Sequence, residues 1–274
     1  MEKNMNPESR VSRDQHFMEN REIMERMVSI GDLKPEDCVL EIGPGNGNLT
    51  KRILKKGAKV TAVESDKRFK RILKKEFGRQ RNLKIIFKNA LDVMGGIRFN
   101  KIVSNLPYSI CEPLINRLTR TDFDLAVLSV PEGFARILLA KPGEKNYSKL
   151  SLRSQSFFGV RIEFEIPKNA FRPEPKTESV VVVVRPLSKK DYRDHPEKYI
   201  LKEIFLQGKK KLKNALLEGL INFEKNILGK DFTKNLAREA INRMDIKGGI
   251  LEKKIDEMRL GDFGRVLKNI TSFS

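Results

Sequence analysis

Short apolar runs alternate with segments of helical spacing along the first half of the chain. Four of these runs are the length of buried parallel strands: Val39–Ile42, Val60–Val63, Ile85–Phe87 and Ile102–Val103. Helical spacing follows the first two, at Leu49–Leu54 and Phe69–Phe77. This alternation predicts an α/β fold with a doubly wound, Rossmann-like sheet.

Three further runs extend the predicted sheet to seven strands: Leu125–Val130, Arg161–Ile166 and Ser179–Arg185. Five consecutive valines in the last run predict a strand buried on both faces. Helices are predicted near Gly133–Leu139 and Leu150–Phe158, and an amphipathic helix follows an irregular start over residues 1–20. Two prolines in Phe171–Thr177 predict a stiff, irregular loop, which could hold a side chain over a pocket.

The pattern changes after Pro186, where β-branched runs give way to helical spacing. We therefore expect a first domain over residues 1–186 and a small all-helical domain over residues 187–274. A basic cluster opens one of the late helices and consists of Lys209, Lys210, Lys211 and Lys213. It fits either contacts with RNA phosphates or an ordinary solvated helix face.

Charge points to an anionic partner. Lysine and arginine number 55 against 36 acidic residues, a net charge of +19, and both predicted domains are basic. A polyanion such as RNA fits this surplus, although a lysine- and glutamate-rich thermophile surface is an alternative. Cys38 and Cys111 form no metal-binding or disulfide pattern. No signal region or membrane span is evident, so we expect a cytoplasmic protein. We also expect a monomer without metal.

The first predicted strand runs into a glycine loop, Glu41–Asn48, with Gly43, Gly45 and Gly47. The GxGxG spacing differs from the GxGxxG of dinucleotide sites, where a helix N-terminus faces a pyrophosphate. S-adenosylmethionine has no pyrophosphate and therefore suits the looser loop. Glu64 ends the second strand, where a carboxylate can bind ribose hydroxyls, and Asn89–Asp92 follows the third. NAD binding, or an ordinary turn with two surface acids, remains an alternative.

The fourth predicted strand ends in Asn105-Leu106-Pro107-Tyr108. The exocyclic amine of adenine is a poor nucleophile, because its lone pair is delocalised into the ring. The Asn105 amide oxygen and the Leu106 carbonyl could accept hydrogen bonds from that amine, with Pro107 fixing the backbone, and Tyr108 offers a face for stacking. A strand-ending turn with a buried tyrosine is the alternative.

Six ordered motifs resemble the KsgA-type small-subunit rRNA adenine dimethyltransferases. They are Asp14–Met18, EIGPGNGNLT from Glu41, NLPYSI from Asn105, Tyr147–Ser151, the proline-rich segment Ile166–Ser179, and Gly208–Asn214. The resemblance implies S-adenosylmethionine as cofactor and small-subunit rRNA, within an immature small subunit, as partner. It implies dimethylation of the N6 amine of two adjacent adenosines near the 3′ end, coupled to small-subunit biogenesis.

The resemblance also implies roles for individual residues. The implied catalytic group is Asn105, Leu106, Pro107, Tyr108 and Phe171, with the base held between the last two rings. The implied cofactor contacts are Gln15, His16, Met18, Gly43, Gly45, Glu64, Ser65, Asn89, Ala90, Asp92 and Asn105.

The chain departs from the family pattern at three of these motif positions. Asp14 replaces the usual Gly, His16 the usual Asn, and Asn89 the usual Asp, so Asp92 is a second candidate for the cofactor's adenine. Two other functions stay open: an Erm-like enzyme acting on large-subunit rRNA, and a ribosome assembly factor whose binding outweighs catalysis. Leu106 argues against a DNA adenine methyltransferase, which usually carries NPPY or DPPY.

Overall fold

The apolar runs form a single seven-stranded sheet in a computed structural model that describes residues 15–271. The strands are β2 Cys38–Ile42, β3 Lys59–Val63, β4 Leu83–Ile86, β5 Lys101–Asn105, β6 Leu125–Pro131, β7 Phe158–Ile166 and β9 Ser179–Pro186. Their order in the sheet is β4-β3-β2-β5-β6-β9-β7. The five strands β4, β3, β2, β5 and β6 are parallel, and β9 runs antiparallel to β6. The predicted doubly wound α/β sheet of seven strands is confirmed.

Helices connect the strands, most of them at the predicted places. They are α1 Arg21–Ile30, α2 Asn48–Leu54, α3 Lys70–Phe77, α4 Ala90–Val93, α5 Cys111–Leu118, α6 Glu132–Leu139 and α7 Lys149–Phe157. The Asn20 side chain accepts a hydrogen bond from the Ile23 amide and so caps α1. Helix α5, which begins directly after the NLPYSI motif, was not predicted.

Burial along the sheet depends on strand position. The valines of β9 are at most 1% exposed, so the predicted burial of this strand is confirmed, and the strand lies between β6 and β7. For the third predicted strand, by contrast, the prediction of full burial was wrong. It is the edge strand β4, whose apolar residues are only half-buried because a strand lies on one side alone.

A small second sheet was not predicted. Phe17–Met18 (β1) pairs antiparallel with Phe171–Arg172 (β8), matching Met18 to Phe171. The stiff loop expected over Phe171–Thr177 therefore starts as a strand, since its first proline comes only at residue 173. This pairing fastens the segment before α1 to the proline-rich segment.

The chain divides into two compact units, and the second is helical. One unit extends to Arg136 and includes Val160–Arg185, whereas the other comprises Ile137–Gly159 and the chain from Pro186 onward. The late helices are α8 Lys189–Asp194, α9 Pro196–Leu206, α10 Leu212–Phe223, α11 Lys234–Arg243, α12 Gly248–Leu251 and α13 Leu260–Thr271. Helix α7 packs on α9 within this unit, so residues 137–159 group with the late helices and not with the sheet. The functional division at residue 186 stays a prediction.

Candidate active site

A pocket of about 280 Å³ opens at the carboxyl ends of β2, β3 and β5. Parallel strands place their carboxyl ends at the same sheet edge, where ligands of such folds bind. Twelve of the residues predicted for the site line it: Gln15, His16, Gly43, Gly45, Glu64, Ser65, Asn89, Ala90, Asn105, Leu106, Pro107 and Tyr108. Phe17, Ile42, Val63, Ser109 and Ile110 complete the wall and were not predicted.

The glycine loop needs glycine for two reasons. Gly43 and Gly45 both have positive φ, at 71° and 55°, which other residues rarely adopt. A Cβ on Gly45 would also lie 2.9 Å from the ring of Phe17. The loop backbone therefore passes directly against the segment that carries Gln15 and His16.

Glu64 is held at the floor of the pocket. Its carboxylate accepts hydrogen bonds from the Gly45 amide at 3.0 Å and from the Asp66 amide at 2.8 Å. Burial raises the pKa of Glu64 above its usual value, while these two amides act in the opposite direction. Each carboxylate oxygen keeps a further lone pair, which can accept a hydrogen bond from a ligand hydroxyl.

Glu41 lies behind the loop and is 1% exposed. It accepts a hydrogen bond from the Thr50 hydroxyl at 2.6 Å. Burial raises the pKa of Glu41 to about 8, and the nearby negative charge of Glu64 adds to that shift. The side chain is therefore a neutral acid at neutral pH and ties β2 to α2 without adding charge.

Asn105 is fixed by one hydrogen bond. Its Nδ2 lies 2.9 Å from the His16 carbonyl oxygen, and a carbonyl can only accept, so the amide nitrogen must face it. The Asn105 Oδ1 is thereby left without a donor in the part of the chain that the structure describes. The Leu106 amide donates to the Ser129 carbonyl at 3.2 Å, which anchors the tetrapeptide to β6.

Tyr108 is anchored at its hydroxyl and has an aromatic neighbour. The hydroxyl lies 2.6 Å from the Ser179 hydroxyl, and burial raises the tyrosine pKa further above its usual range. The His16 ring lies 5.3 Å from the Tyr108 ring, the separation of two rings in contact. His16 Nδ1 also donates to the Pro173 carbonyl at 2.8 Å. Ser179 belongs to the proline-rich motif, so that motif was the signal for this partner.

Three predicted site residues lie outside the pocket. Phe171 is 0% exposed and belongs to the core, so the structure does not bring its ring to Tyr108; the pairing of β8 with β1 turns it inward. Met18 is 5% exposed and borders a smaller cavity beside Gly43 and Asn105. Asp92 is absent from the pocket wall, whereas Asn89 lines it and caps α4 through the Leu91 amide at 2.9 Å. Asp14 lies outside the described residues.

The predicted basic cluster of the late helices is largely paired with carboxylates. Lys210 bonds Glu218 at 2.7 Å, and Lys211 and Lys213 both bond Glu252, at 2.7 and 2.5 Å. The two lysines lower the pKa of Glu252 to about 2. Much of the positive charge of this cluster is therefore matched within its own unit.

Among residues 15–271, every helix is too short or too polar to span a lipid bilayer. No group of three or more His, Cys, Asp or Glu side chains is arranged there to hold a metal ion.

The strand order, the glycine loop, the buried Glu64 and the NLPY segment together define a Rossmann-like methyltransferase. A family model described as "Ribosomal RNA adenine dimethylase" matches residues 6–245. The chain belongs to this family of rRNA adenine methyltransferases.

Known relatives agree with that assignment. The chain is 38% identical over 208 residues to the "Probable ribosomal RNA small subunit methyltransferase A" of Methanococcoides burtonii, covering 75% of this chain and 77% of that one. It is 36% identical to the protein of the same name from Pyrococcus furiosus, over 78% and 77% of the two chains. A crystal structure of a dimethyladenosine transferase from Plasmodium falciparum superposes with a TM-score of 0.63 at 27% identity, covering 94% and 98%.

We predict that replacing Glu41 by Gln makes the protein progressively more stable than the wild type as pH rises from 4.5 to about 8. The folded wild type holds a proton over this range that the unfolded chain releases, so its stability falls with rising pH. The neutral amide loses nothing. Urea unfolding across this range measures the difference, which should reach a few kcal/mol. A difference that does not change with pH would contradict a buried, neutral Glu41.

We also predict that Phe171→Ala lowers the free energy of unfolding by about 3–5 kcal/mol, because the ring is fully buried. Phe171→Leu should cost less, since it keeps most of the volume. Phe164→Ala, at a half-buried ring against the same core, is the matched control and should cost less than Phe171→Ala. Urea unfolding of the three variants checks this, and a Phe171→Ala protein as stable as the wild type would show that the ring is not in the core.

Proposed function

We propose that this protein transfers methyl groups from S-adenosylmethionine to the N6 amine of adenosines in small-subunit rRNA, forming N6,N6-dimethyladenosine. The observation that carries the proposal is the orientation of Asn105. Its amide nitrogen donates to the His16 carbonyl, which leaves its Oδ1 free to accept, and the residue lines the pocket. An adenine amine carries two hydrogens and needs acceptors of this kind.

The pocket fits the cofactor by the chemistry of its donors and acceptors. Glu64 can accept from ribose hydroxyls, and the positive-φ glycines let the loop backbone approach a ligand closely. S-adenosylmethionine supplies an electrophilic methyl group on a sulfonium when it is bound. We assign Gln15, His16, Gly43, Ser65 and Ala90 to the rest of the cofactor wall, because they line the same pocket.

Asn89 is the better candidate than Asp92 for the cofactor's adenine. It lines the pocket at the end of β4, whereas Asp92 does not. Its Oδ1 already accepts from the Leu91 amide, as a helix cap does. Asn89 therefore serves as both the cap of α4 and the polar end of the cofactor pocket.

The adenine amine is activated by position and hydrogen bonding. Asn105 Oδ1 and the Leu106 carbonyl accept its two hydrogens, which favours a tetrahedral nitrogen with its lone pair free to react. Pro107 holds the carbonyl in place with φ −57°. The methylated amine is strongly acidic while cationic, so its proton passes to solvent and no side chain is required as base.

The target base stacks on Tyr108. Extruding a base from RNA costs free energy, and stacking on an aromatic face offsets part of that cost. The His16 ring lies close to Tyr108 and tilted by 41° to it, so a stacked base would have His16 as a neighbour. Phe171 would reach the base only if β8 rearranged, since its ring is in the core. Met18 pairs with Phe171 and so helps to hold the segment that carries Gln15 and His16.

The relatives' names favour the small subunit over the large, because they describe a small-subunit methyltransferase A. We infer that two adjacent adenosines near the 3′ end are the targets, that an immature small subunit in the cytoplasm is the partner, and that residues 187–274 help to bind it. The enzyme acts as a monomer without metal in this proposal. An assembly role can accompany catalysis, but the complete pocket argues against binding alone.

The function is tested by supplying labelled S-adenosylmethionine with unmethylated small subunits, large subunits or duplex DNA, and identifying the modified nucleoside after digestion. We expect N6,N6-dimethyladenosine from small subunits alone. Asn105→Ala is the control for contaminating activity; it should keep cofactor binding and lose turnover by about 10²–10³-fold. Label in large subunits or DNA, or none anywhere, would overturn the proposal, as would full turnover by Asn105→Ala.

A further inference from the structure

Residues 67–88 concentrate the positive charge of the chain. This segment holds ten basic residues and a single acidic one, and so supplies +9 of the net +19. It forms the turn Lys67–Phe69, helix α3 and the edge strand β4. All ten basic side chains are exposed. We call this region the α3–β4 basic surface.

Most of these cations have no internal counter-charge. Arg68 bonds Asp66, and the acidic Glu76 bonds Lys51 of α2. Within residues 15–271, no ion pair forms with the other nine: Lys67, Lys70, Arg71, Lys74, Lys75, Arg79, Arg81, Lys84 and Lys88. The basic cluster near Lys211 is different, because carboxylates already match it. The α3–β4 basic surface therefore carries more unmatched charge than the cluster near Lys211.

Helix α3 carries this charge against its own stability. Its first turn contains Lys70 and Arg71 and no acidic residue, although a helix N-terminus favours negative charge. Lys70 and Lys74 are four residues apart, as are Arg71 and Lys75, and each like-charged pair costs a few tenths of a kcal/mol. A helix face that served only solubility would mix both signs. The violation of these local rules indicates an anionic partner.

The surface begins at the rim of the candidate active site. Lys88 directly precedes Asn89, which lines the pocket, and Arg68 donates to Gln15 of the pocket at 3.3 Å. Lys84 on β4 also has the ordinary task of protecting a sheet edge from pairing, so it is a weaker argument than the helix cations. A polyanion that enters the pocket with one base would lie within reach of α3.

We propose that the α3–β4 basic surface binds the phosphate backbone of the rRNA strand that flanks the target adenosine. The proposal rests on the proposed function for the identity of the RNA. It assigns the first grip on the substrate to the sheet unit itself, in addition to any contact from the late helices. Phosphate contacts set the register of the RNA, and the pocket selects the base.

The test compares two triple variants that remove the same charge. One is Lys70→Gln with Arg71→Gln and Lys74→Gln; the control is Lys55→Gln with Lys56→Gln and Lys59→Gln. The control residues are exposed: Lys55 and Lys56 follow α2, and Lys59 begins β3, at the strand end opposite to Glu64. Binding to unmethylated small subunits is measured over a range of salt concentrations, together with the melting temperature and S-adenosylmethionine binding.

We expect the α3 variant to reduce the salt slope of log affinity by about 2 and to bind at least about tenfold more weakly at ~0.1 M salt. The control should keep the wild-type slope. The melting temperature of the α3 variant should be unchanged or higher, since its like-charge pairs are gone. Wild-type affinity and slope in the α3 variant, or an equal loss in the control, would overturn the proposal.

Two safeguards keep the result decisive. If the α3 variant folds poorly, Arg79→Gln with Arg81→Gln probes the loop after α3 on the same surface. The binding measurement needs no methyl transfer. If the α3 variant binds more weakly as expected but the wild type forms no dimethyladenosine, the result counts against the proposed reaction alone. If the wild type forms dimethyladenosine but the α3 variant binds like the wild type, the result counts against this surface alone.

Discussion

The hydrogen bond from Asn105 to the His16 carbonyl is the constraint on which the site depends. An asparagine amide can face either way, and only an acceptor opposite its nitrogen forces the oxygen toward the pocket. That acceptor belongs to a segment distant in sequence, so the segment itself must be held. The pairing of β1 with β8 does this, and His16 Nδ1 adds a bond to Pro173. The strand end, the early segment and the proline-rich segment are thus one interlocked unit.

Two buried carboxyl groups lie near the glycine loop, and the negative charge of Glu64 helps to raise the pKa of Glu41. Glu41 stays neutral beside Thr50, while Glu64 accepts hydrogen bonds from two backbone amides. One of these amides belongs to Gly45, so the loop is held to the end of β3 before any ligand binds, and a preformed site lowers the entropic cost of binding.

Much of this arrangement could be predicted from the sequence. The seven strands of a doubly wound sheet and the pocket edge follow from the alternation of apolar runs, and the NLPY motif was placed at a strand end because it directly follows one of these runs. Phe171 could not be placed in this way, because its burial depends on a two-residue strand pair with no local signal. The grouping of α7 with the late helices depends likewise on long-range packing. The pairing of Lys211 with Glu252 joins residues 41 positions apart, beyond any local pattern.

The most direct test of the account is the rate of a single methyl transfer by Asn105→Asp on unmethylated small subunits. Aspartate keeps the shape and the acceptor at the Oδ1 position, but it puts a second oxygen in place of the amide nitrogen and has no hydrogen to donate to the His16 carbonyl. The account predicts a loss of about 10²–10³-fold with cofactor affinity retained. A rate close to that of the wild type would mean that the Asn105–His16 hydrogen bond does not orient the site.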